Sequence, residues 1–260
     1  MVLMEGSEDI MFVYNEAAVV VRIDGKKYLV IGDLHLGVER KLLKKGVRIY
    51  SVVENTINRV RRLCAEFAVA GIIILGDVKD TILYPERWEQ EMIRKFFDDL
   101  KGYDITITLG NHDGHLNEII DCKMVDELVL GEFAFMHGHK WPSERAMLSK
   151  FIFVGHNHAA VSMKDKNGAT YTQKAWLVAK INKKNAAKQY KRFNEEVQLV
   201  VLPAFNDLIT GMPVNEAVDE NLSPLFRNGV FDYKKARVYS IRGELVGTPS
   251  SLKTKTQKSR

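Results

Sequence analysis

All seven histidines of this 260-residue chain (His35, His112, His115, His137, His139, His156 and His158) follow short apolar runs, and none lies before residue 35 or after 158. Each run delivers side chains that bind metal or move protons. Residues 105–109 lead through Gly110 to Asn111, His112 and Asp113, and residues 28–31 lead through Gly32 to Asp33 and His35. Residues 72–75 lead through Gly76 to Asp77, with Asp80 three positions on; 133–136 lead to His137 and His139, and 151–154 lead through Gly155 to His156, Asn157 and His158. One Asn-His-Asp turn is ordinary loop chemistry. Five such groups imply a metal-binding wall. Carboxylate, carboxamide and neutral imidazole suit manganese, iron or zinc, and a set without thiolates argues against structural zinc. Two ions roughly 3.5–4 Å apart need one bridging carboxylate and separate ligands for each, which this set can supply.

These side chains converge only if the runs before them are strands of sheets whose ends share one rim. The runs are β-branched and apolar, as buried strands are. Residues 10–14 and 17–23 also read as strands, and Asp24-Gly25 as a hairpin turn into 27–32. Val53, Ile57, Val60, Cys64 and Phe67 recur at helical spacing over 50–68, and Trp88, Met92, Phe96 and Leu100 mark a second helix. Strand and helix alternating in this way predict parallel pairing through crossover helices. Pro142-Ser143 opens a short helix with Ser143 as N-cap. Beyond His158 the pattern turns antiparallel, with strands at 159–164, 169–173, 175–181, 197–202 and 236–241. The fold expected is α/β: two mixed β-sheets packed face to face and flanked by helices, as a single domain over 1–247. Residues 182–195 form an irregular basic insertion, and a disordered basic tail occupies 248–260.

A hydrophobic fraction of 46% and a charged fraction of 27% describe an ordinary globular protein. Two cysteines exclude a disulfide framework and fit a reducing cytoplasm. No uncharged apolar stretch reaches the length of a membrane span, and the acidic start lacks the basic and apolar regions of a signal peptide. The net charge of +5 is concentrated. Lys174, Lys180, Lys183, Lys184, Lys188, Lys191 and Arg192 stand in one stretch without an acid, and Lys253, Lys255, Lys258 and Arg260 end the chain. The remainder is acidic. A second basic run, Arg40, Lys41, Lys44, Lys45 and Arg48, lies close to the rim and could meet a phosphate backbone or be a solvated helix face.

Asp33-Leu-His35, Gly76-Asp77, Gly110-Asn111-His112-Asp113, His137-Gly138-His139 and Gly155-His156-Asn157-His158 resemble, in order and spacing, the motif series of the calcineurin-like metallophosphoesterases over residues 28–158. Leu202-Pro203-Ala204-Phe205-Asn206 resembles the archaeal subgroup related to the SbcD-type repair nucleases, whose capping domain and partner-binding tail are not expected here. The resemblance implies the phosphoesterase sandwich and two divalent ions, manganese first, with iron, nickel or zinc as alternatives. It implies that Asp33, His35, Asp77 and His158 hold one ion, and that Asp77 bridges to a second held by Asn111, His137 and His156. Such ions lower the pKa of water from 15.7 towards ~7 and activate it for in-line attack on phosphorus. His112 is then the residue that stabilises the transition state or protonates the leaving oxygen, with Asp113 as its orienting partner. His115 takes no role, and His139 either touches the substrate phosphate or makes a structural hydrogen bond. Asp80 stands where purple acid phosphatases carry a tyrosine, so their ferric chromophore is not implied.

The leading reading is a phosphodiesterase acting on DNA or RNA, with Lys180, Lys183, Lys184 and Lys188 on the phosphate backbone and Trp176, Tyr190 and Phe193 available to stack on bases. Trp176 also alternates into a strand, which would make it core. The alternatives are a phosphodiesterase or phosphatase for small nucleotides and a non-catalytic scaffold on the same fold. An intact His112 and a full ligand set speak against the scaffold.

Overall fold

The computed structural model describes residues 2–3, 7–43, 45–46, 52–216 and 223–252. Lys44 and Arg48 of the basic run, and residues 253–260 of the tail, lie outside them.

The first sheet is built in chain order from β1 (Val2–Leu3), β2 (Ile10–Phe12), β3 (Val19–Ile23), β4 (Lys26–Ile31), β5 (Gly71–Ile74), β6 (Asp104–Thr108) and β7 (Lys123–Val125). Asp24 and Gly25 both take positive φ, 48° and 76°, and join β3 to β4 as a tight antiparallel hairpin. From β4 onward the pairing is parallel. The crossovers are α2 (Val52–Phe67) and α3 (Arg87–Asp99), preceded by the short α1 (Glu39–Leu43). The expected strand-helix alternation is what the chain adopts.

The second sheet takes β8 (Glu127–Leu130), β9 (Phe133–Met136), β10 (Phe151–Val154), β11 (Ala159–Lys164), β12 (Thr170–Lys180), β13 (Gln198–Val201), β14 (Met212–Pro213), β15 (Arg237–Ser240) and β16 (Leu245–Gly247). Its order is β14-β11-β12-β13-β10-β9-β8, with β15 beside β12 and β16 beside β15. Both β9 and β13 run parallel to β10, while β11 and β13 run antiparallel to β12. The two strands expected at 169–173 and 175–181 are one. Residues 170–174 pair with β11, and 175–180 with β15 and β13, so a continuous ladder carries the chain through without a break.

The sheets face each other across one apolar layer because their strands are apolar on both faces. Val30, Ile73 and Leu75 from the first sheet meet Phe135, Phe153, Trp176 and Val200 from the second. Phe12 stacks on Trp176 with ring centroids 4.7 Å apart. On the outer face, Leu29, Ile31, Ile72, Ile74 and Ile107 pack under Val53, Ile57, Val60, Leu63 and Phe67 of α2 and Phe96 of α3. The other outer face is covered by α4 (Glu144–Met147), α5 (Lys183–Ala186) and α6 (Pro224–Arg227). Ser143 caps α4 through Oγ, which accepts from Ala146 N at 3.1 Å.

The basic segment 182–195 is less irregular than expected. Asn182 caps α5, Ala186 and Tyr190 are buried, and the Tyr190 hydroxyl donates to the Pro142 carbonyl at 3.0 Å. Trp176 and Tyr190 are therefore core, and Phe193 packs against the outer cluster, so none of the three is a free stacking face. Expected disorder from 248 does not reach 248–252. Leu252 packs on the second sheet's outer core, and its carbonyl accepts from Asn215 Nδ2 at 2.9 Å.

Candidate metal centre

Parallel strands bring the ends of β4, β5 and β6 together, and β9 and β10 end opposite them across the interface between the sheets. Cross-sheet bonds fix the join. The His137 Nδ1–H donates to the Leu75 carbonyl at 2.7 Å, and the His156 backbone N–H donates to Asp33 Oδ1 at 3.1 Å. After β13, the Phe205 N–H donates to the Gly32 carbonyl at 2.9 Å, and the buried Asn206 amide donates to the Leu34 carbonyl at 2.7 Å. The Leu202–Asn206 stretch thus holds the Asp33–His35 turn from the second sheet.

Five of the candidate ligands have left-handed backbones: Asp33 (φ 54°), His35 (40°), Asp77 (49°), His156 (64°) and His158 (42°). Non-glycine residues seldom adopt this region, and surrounding structure must enforce it. Two glycines make room for the carboxylates. A Cβ on Gly110 would fall 2.2 Å from Asp77 Oδ1, and one on Gly155 would fall 2.7 Å from Asp33 Oδ2.

Two donor groups result, with ligand atoms all within 4.8 Å of one another in each: Asp33, His35, Asp77 and His158, and Asp77, His137 and His156. Asp77 belongs to both. In the first, His158 Nε2 lies 3.2 Å from both Asp33 Oδ1 and His35 Nε2, and His35 Nε2 lies 3.6 Å from Asp77 Oδ2. In the second, His137 Nε2 lies 3.3 Å from Asp77 Oδ2 and 3.2 Å from Asn111 Oδ1, which adds the amide to the set. Two imidazole nitrogens facing each other between two carboxylates fit a cation. Asp33 Oδ2, buried without a hydrogen-bond partner, fits it too. The donors are oxygen and imidazole nitrogen throughout, suited to divalent transition ions. Because His137 Nδ1–H is committed to a carbonyl, its Nε2 is the atom left to coordinate.

Charge is already balanced within the group. Burial works against charge on His137, but Asp77 and then Asp33 overcome it and hold its pKa up at about 9. The same contest leaves His158 raised and Asp33 and Asp77 lowered. Burial pushes His35 and His156 down to about 4, so these two imidazoles are neutral donors near pH 7.

His112 stands apart from both donor groups. Its Nε2 is 3.9 Å from Asp77 Oδ2, and its Nδ1–H donates to the Asp80 carbonyl at 2.6 Å. Asp113 is not its orienting partner, which corrects the sequence reading. The Asp113 oxygens accept from Val78 N and Gly110 N, each at 2.8 Å, and bind two ligand loops together. Asp80, noted in the sequence but given no role there, is the residue that takes the orienting place. Its carbonyl holds His112, and its buried carboxylate sits 3.6 Å from His35 Nδ1 and 2.7 Å from Lys41 Nζ. The only signal in the sequence was its position three residues after Asp77.

The remaining candidates scatter. His139 lies beside the wall, its ring 5.2 Å from that of His137, and its buried Nδ1 has no hydrogen-bond partner. His115 pairs with Glu118 at the surface, 2.7 Å away. Two of the lysines expected to touch substrate, Lys180 and Lys183, are not at the rim. Lys180 pairs with Gln198, which pairs with Phe151 at the start of β10. His156 follows the other end of that strand, more than roughly 10 Å away at ~3.3 Å per residue. Lys180 and Lys183 instead line an open cleft of about 740 Å³ with Glu132, Glu195 and Glu196, and Lys183 pairs with Glu195 at 2.8 Å. Lys184 lies on α5 in the same segment, and Lys188 follows it. Lys174 is held by Asp207 and the Asn206 carbonyl. Near the rim, Arg40 pairs with Glu86 and Lys41 with Asp80.

Comparison with known proteins agrees with this geometry. The family model described as calcineurin-like phosphoesterase matches residues 26–201. No curated protein matches the sequence. Among solved structures, the nuclease MPE of Pseudomonas putida is similar over 86% of this chain and 96% of its own, at 18% identity and a TM-score of 0.53, which shows a shared fold. The phosphoesterase Yfce of E. coli covers 53% of this chain and 73% of its own, at 17% identity and a TM-score of 0.35.

Proposed function

This chain belongs to the calcineurin-like phosphoesterase family, and from that premise we propose that it hydrolyses phosphodiester bonds of nucleic acid with two divalent ions, manganese first among them. The observation that carries the reading is the shared carboxylate. Asp77 belongs to both donor groups, and a non-ligand imidazole, His112, stands 3.9 Å from it. When bound, divalent ions supply Lewis acidity and lower the pKa of water. Asp33, His35, Asp77 and His158 would hold one, and Asp77, Asn111, His137 and His156 the other. His112, fixed through Nδ1, presents Nε2 to protonate the leaving oxygen. His139, whose buried Nδ1 has no hydrogen-bond partner, would meet a phosphate oxygen in this reading. The likeness in fold to a nuclease is consistent with this reading, and the Leu202–Asn206 stretch supports kinship with the SbcD-related subgroup.

A second reading, small nucleotides, is favoured by the distance of Lys180 and Lys183 from the rim, which leaves these two lysines out of contact with a phosphate seated at the ions. The test is a panel of model diester, model monoester, cyclic nucleotide and DNA, offered to protein reconstituted with manganese. The expected result is turnover of the diester and of DNA above the monoester, appearing only as two ions bind. Preference for the monoester, or no hydrolysis by protein holding two ions, overturns the proposal. Turnover of cyclic nucleotide without DNA moves it to the second reading.

A further inference from the structure

Lys79, two residues after the shared ligand Asp77, is fully buried. Its ammonium bonds the carbonyls of Thr81, Ile82 (3.3 Å) and Leu83 (3.0 Å), with the charges of Glu89, Asp113, Asp77 and Asp80 around it. Burying an ammonium is costly unless it is compensated in this way. The arrangement turns three successive carbonyls inward, and the side chains of Ile82, Leu83 and Tyr84 are left 59%, 76% and 52% exposed. Among the described residues the other exposed large hydrophobics occur singly along the chain, which needs no explanation. Three in a row, on a loop built around a buried cation, do.

The loop is fastened to the catalytic side of the metal centre. The Asp80 carbonyl, one residue before Thr81, holds His112. The Thr81 N–H donates to Glu89 at 3.0 Å, and the Tyr84 ring meets the His115 ring edge-on at 5.5 Å. Nearby cations are committed, Arg40 to Glu86 and Arg87 to Glu91. The patch thus offers flat and apolar surface with little free positive charge. It suits a neutral ring better than a phosphate.

The geometry points to Leu83 and Tyr84, with His115, as a platform for the base of the nucleoside esterified to the phosphate on the His112 side. This deepens the diesterase reading and rests on it. A diester seated at the two ions next to His112 would bring one of its ester groups towards this loop, whose Asp80 carbonyl holds His112, and stacking on an exposed aromatic ring is tolerant of base identity.

The test compares a single-stranded oligodeoxynucleotide with an abasic oligomer of the same length, for the manganese-loaded parent, Tyr84→Ala, Tyr84→Phe and Leu83→Ser. Expected is a higher kcat/KM of the parent for the base-bearing strand. Tyr84→Ala should lower that value roughly five- to a hundredfold, mainly through KM, with abasic cleavage and both ions kept. Tyr84→Phe should behave as the parent, and Leu83→Ser should show a smaller selective loss. Equal losses on both oligomers, or none, overturn the platform. Equal parental cleavage of the two oligomers does the same and leaves the diesterase reading standing. If the parent holds two ions and cuts no diester, that reading fails first and takes the platform with it.

Discussion

A single carboxylate shared between two donor groups makes the residues of this centre unequal. Removing Asp77 touches both ions, whereas His156 serves one group only. Asp77→Asn is expected to lower occupancy at both positions, and His156→Ala at one, by elemental analysis after loading with excess manganese. Two ions retained in Asp77→Asn would contradict the bridge. His112→Ala should keep two ions and lose turnover by a factor on the order of 10²–10⁴, and metal loss in that variant would make His112 a ligand instead. The protonation pattern gives a pH dependence. His137, raised to about 9, carries a proton at pH 7 that an incoming ion must displace. Manganese affinity of the apo-protein should therefore rise with pH towards 9, with proton release near neutrality. Calorimetry in buffers of different ionisation heat reads that release, and its absence would refute the assignment.

At the scale of elements, the ligand loops are locked to one another. Asp113 ties the turn after β6 to the loop after β5, and Asn206 ties the end of β13 to the loop after β4. Asp113→Ala strips a partner from two backbone N–H groups, at ~1–3 kcal/mol each when buried. It should lower the unfolding midpoint and metal occupancy while leaving the pKa of residual activity unchanged, since His112 is oriented by Asp80. A shifted pH–rate profile in Asp113→Asn would restore Asp113 as the orienting residue. Gly110→Ala should be severe for a steric reason: its Cβ would occupy space held by Asp77 Oδ1. Ion occupancy well below that of the parent is expected, with helices and sheets intact by circular dichroism.

Across the whole molecule, the two ends of the sheets do different things. Ligands gather where the parallel strands end, while Lys180 and Lys183 mark the other end and face Glu132, Glu195 and Glu196 across a cleft. Neutralising Lys180, Lys183, Lys184 and Lys188 together should leave metal content and hydrolysis of a small diester unchanged. The salt dependence of oligonucleotide binding should also stay close to that of the parent. A lysine seated on a phosphate would add about 0.7–0.9 to that slope, and Lys180 and Lys183 lie at the end of the sheet away from the rim. A clearly flatter slope would show that a bound strand runs around the molecule to the basic segment. Among the described residues no helix is long and apolar enough to cross a membrane.

Chain order alone carried the ligand wall, because side chains that follow buried parallel strands must meet at the strand ends, and the apolar runs before Asp33, Asp77 and Asn111 are legible locally. Their alternation with the stripes of α2 and α3 carried the layering for the same reason. What the sequence could not show is which partner each polar atom takes. Asp113 follows His112 directly and looked like its orienting carboxylate, yet backbone turns aim it at Val78 and Gly110 and leave His112 to a carbonyl 32 residues earlier. Lys180 looked like part of a phosphate-binding surface, but the antiparallel direction of β12 carries it to the far end. The left-handed ligand backbones, the buried ammonium of Lys79 and the exposed Ile82–Tyr84 loop were equally out of reach. The ligand backbones depend on contacts between the two sheets, which only their packing brings together, whereas Lys79 bonds carbonyls two to four residues on and is buried by the layers around it.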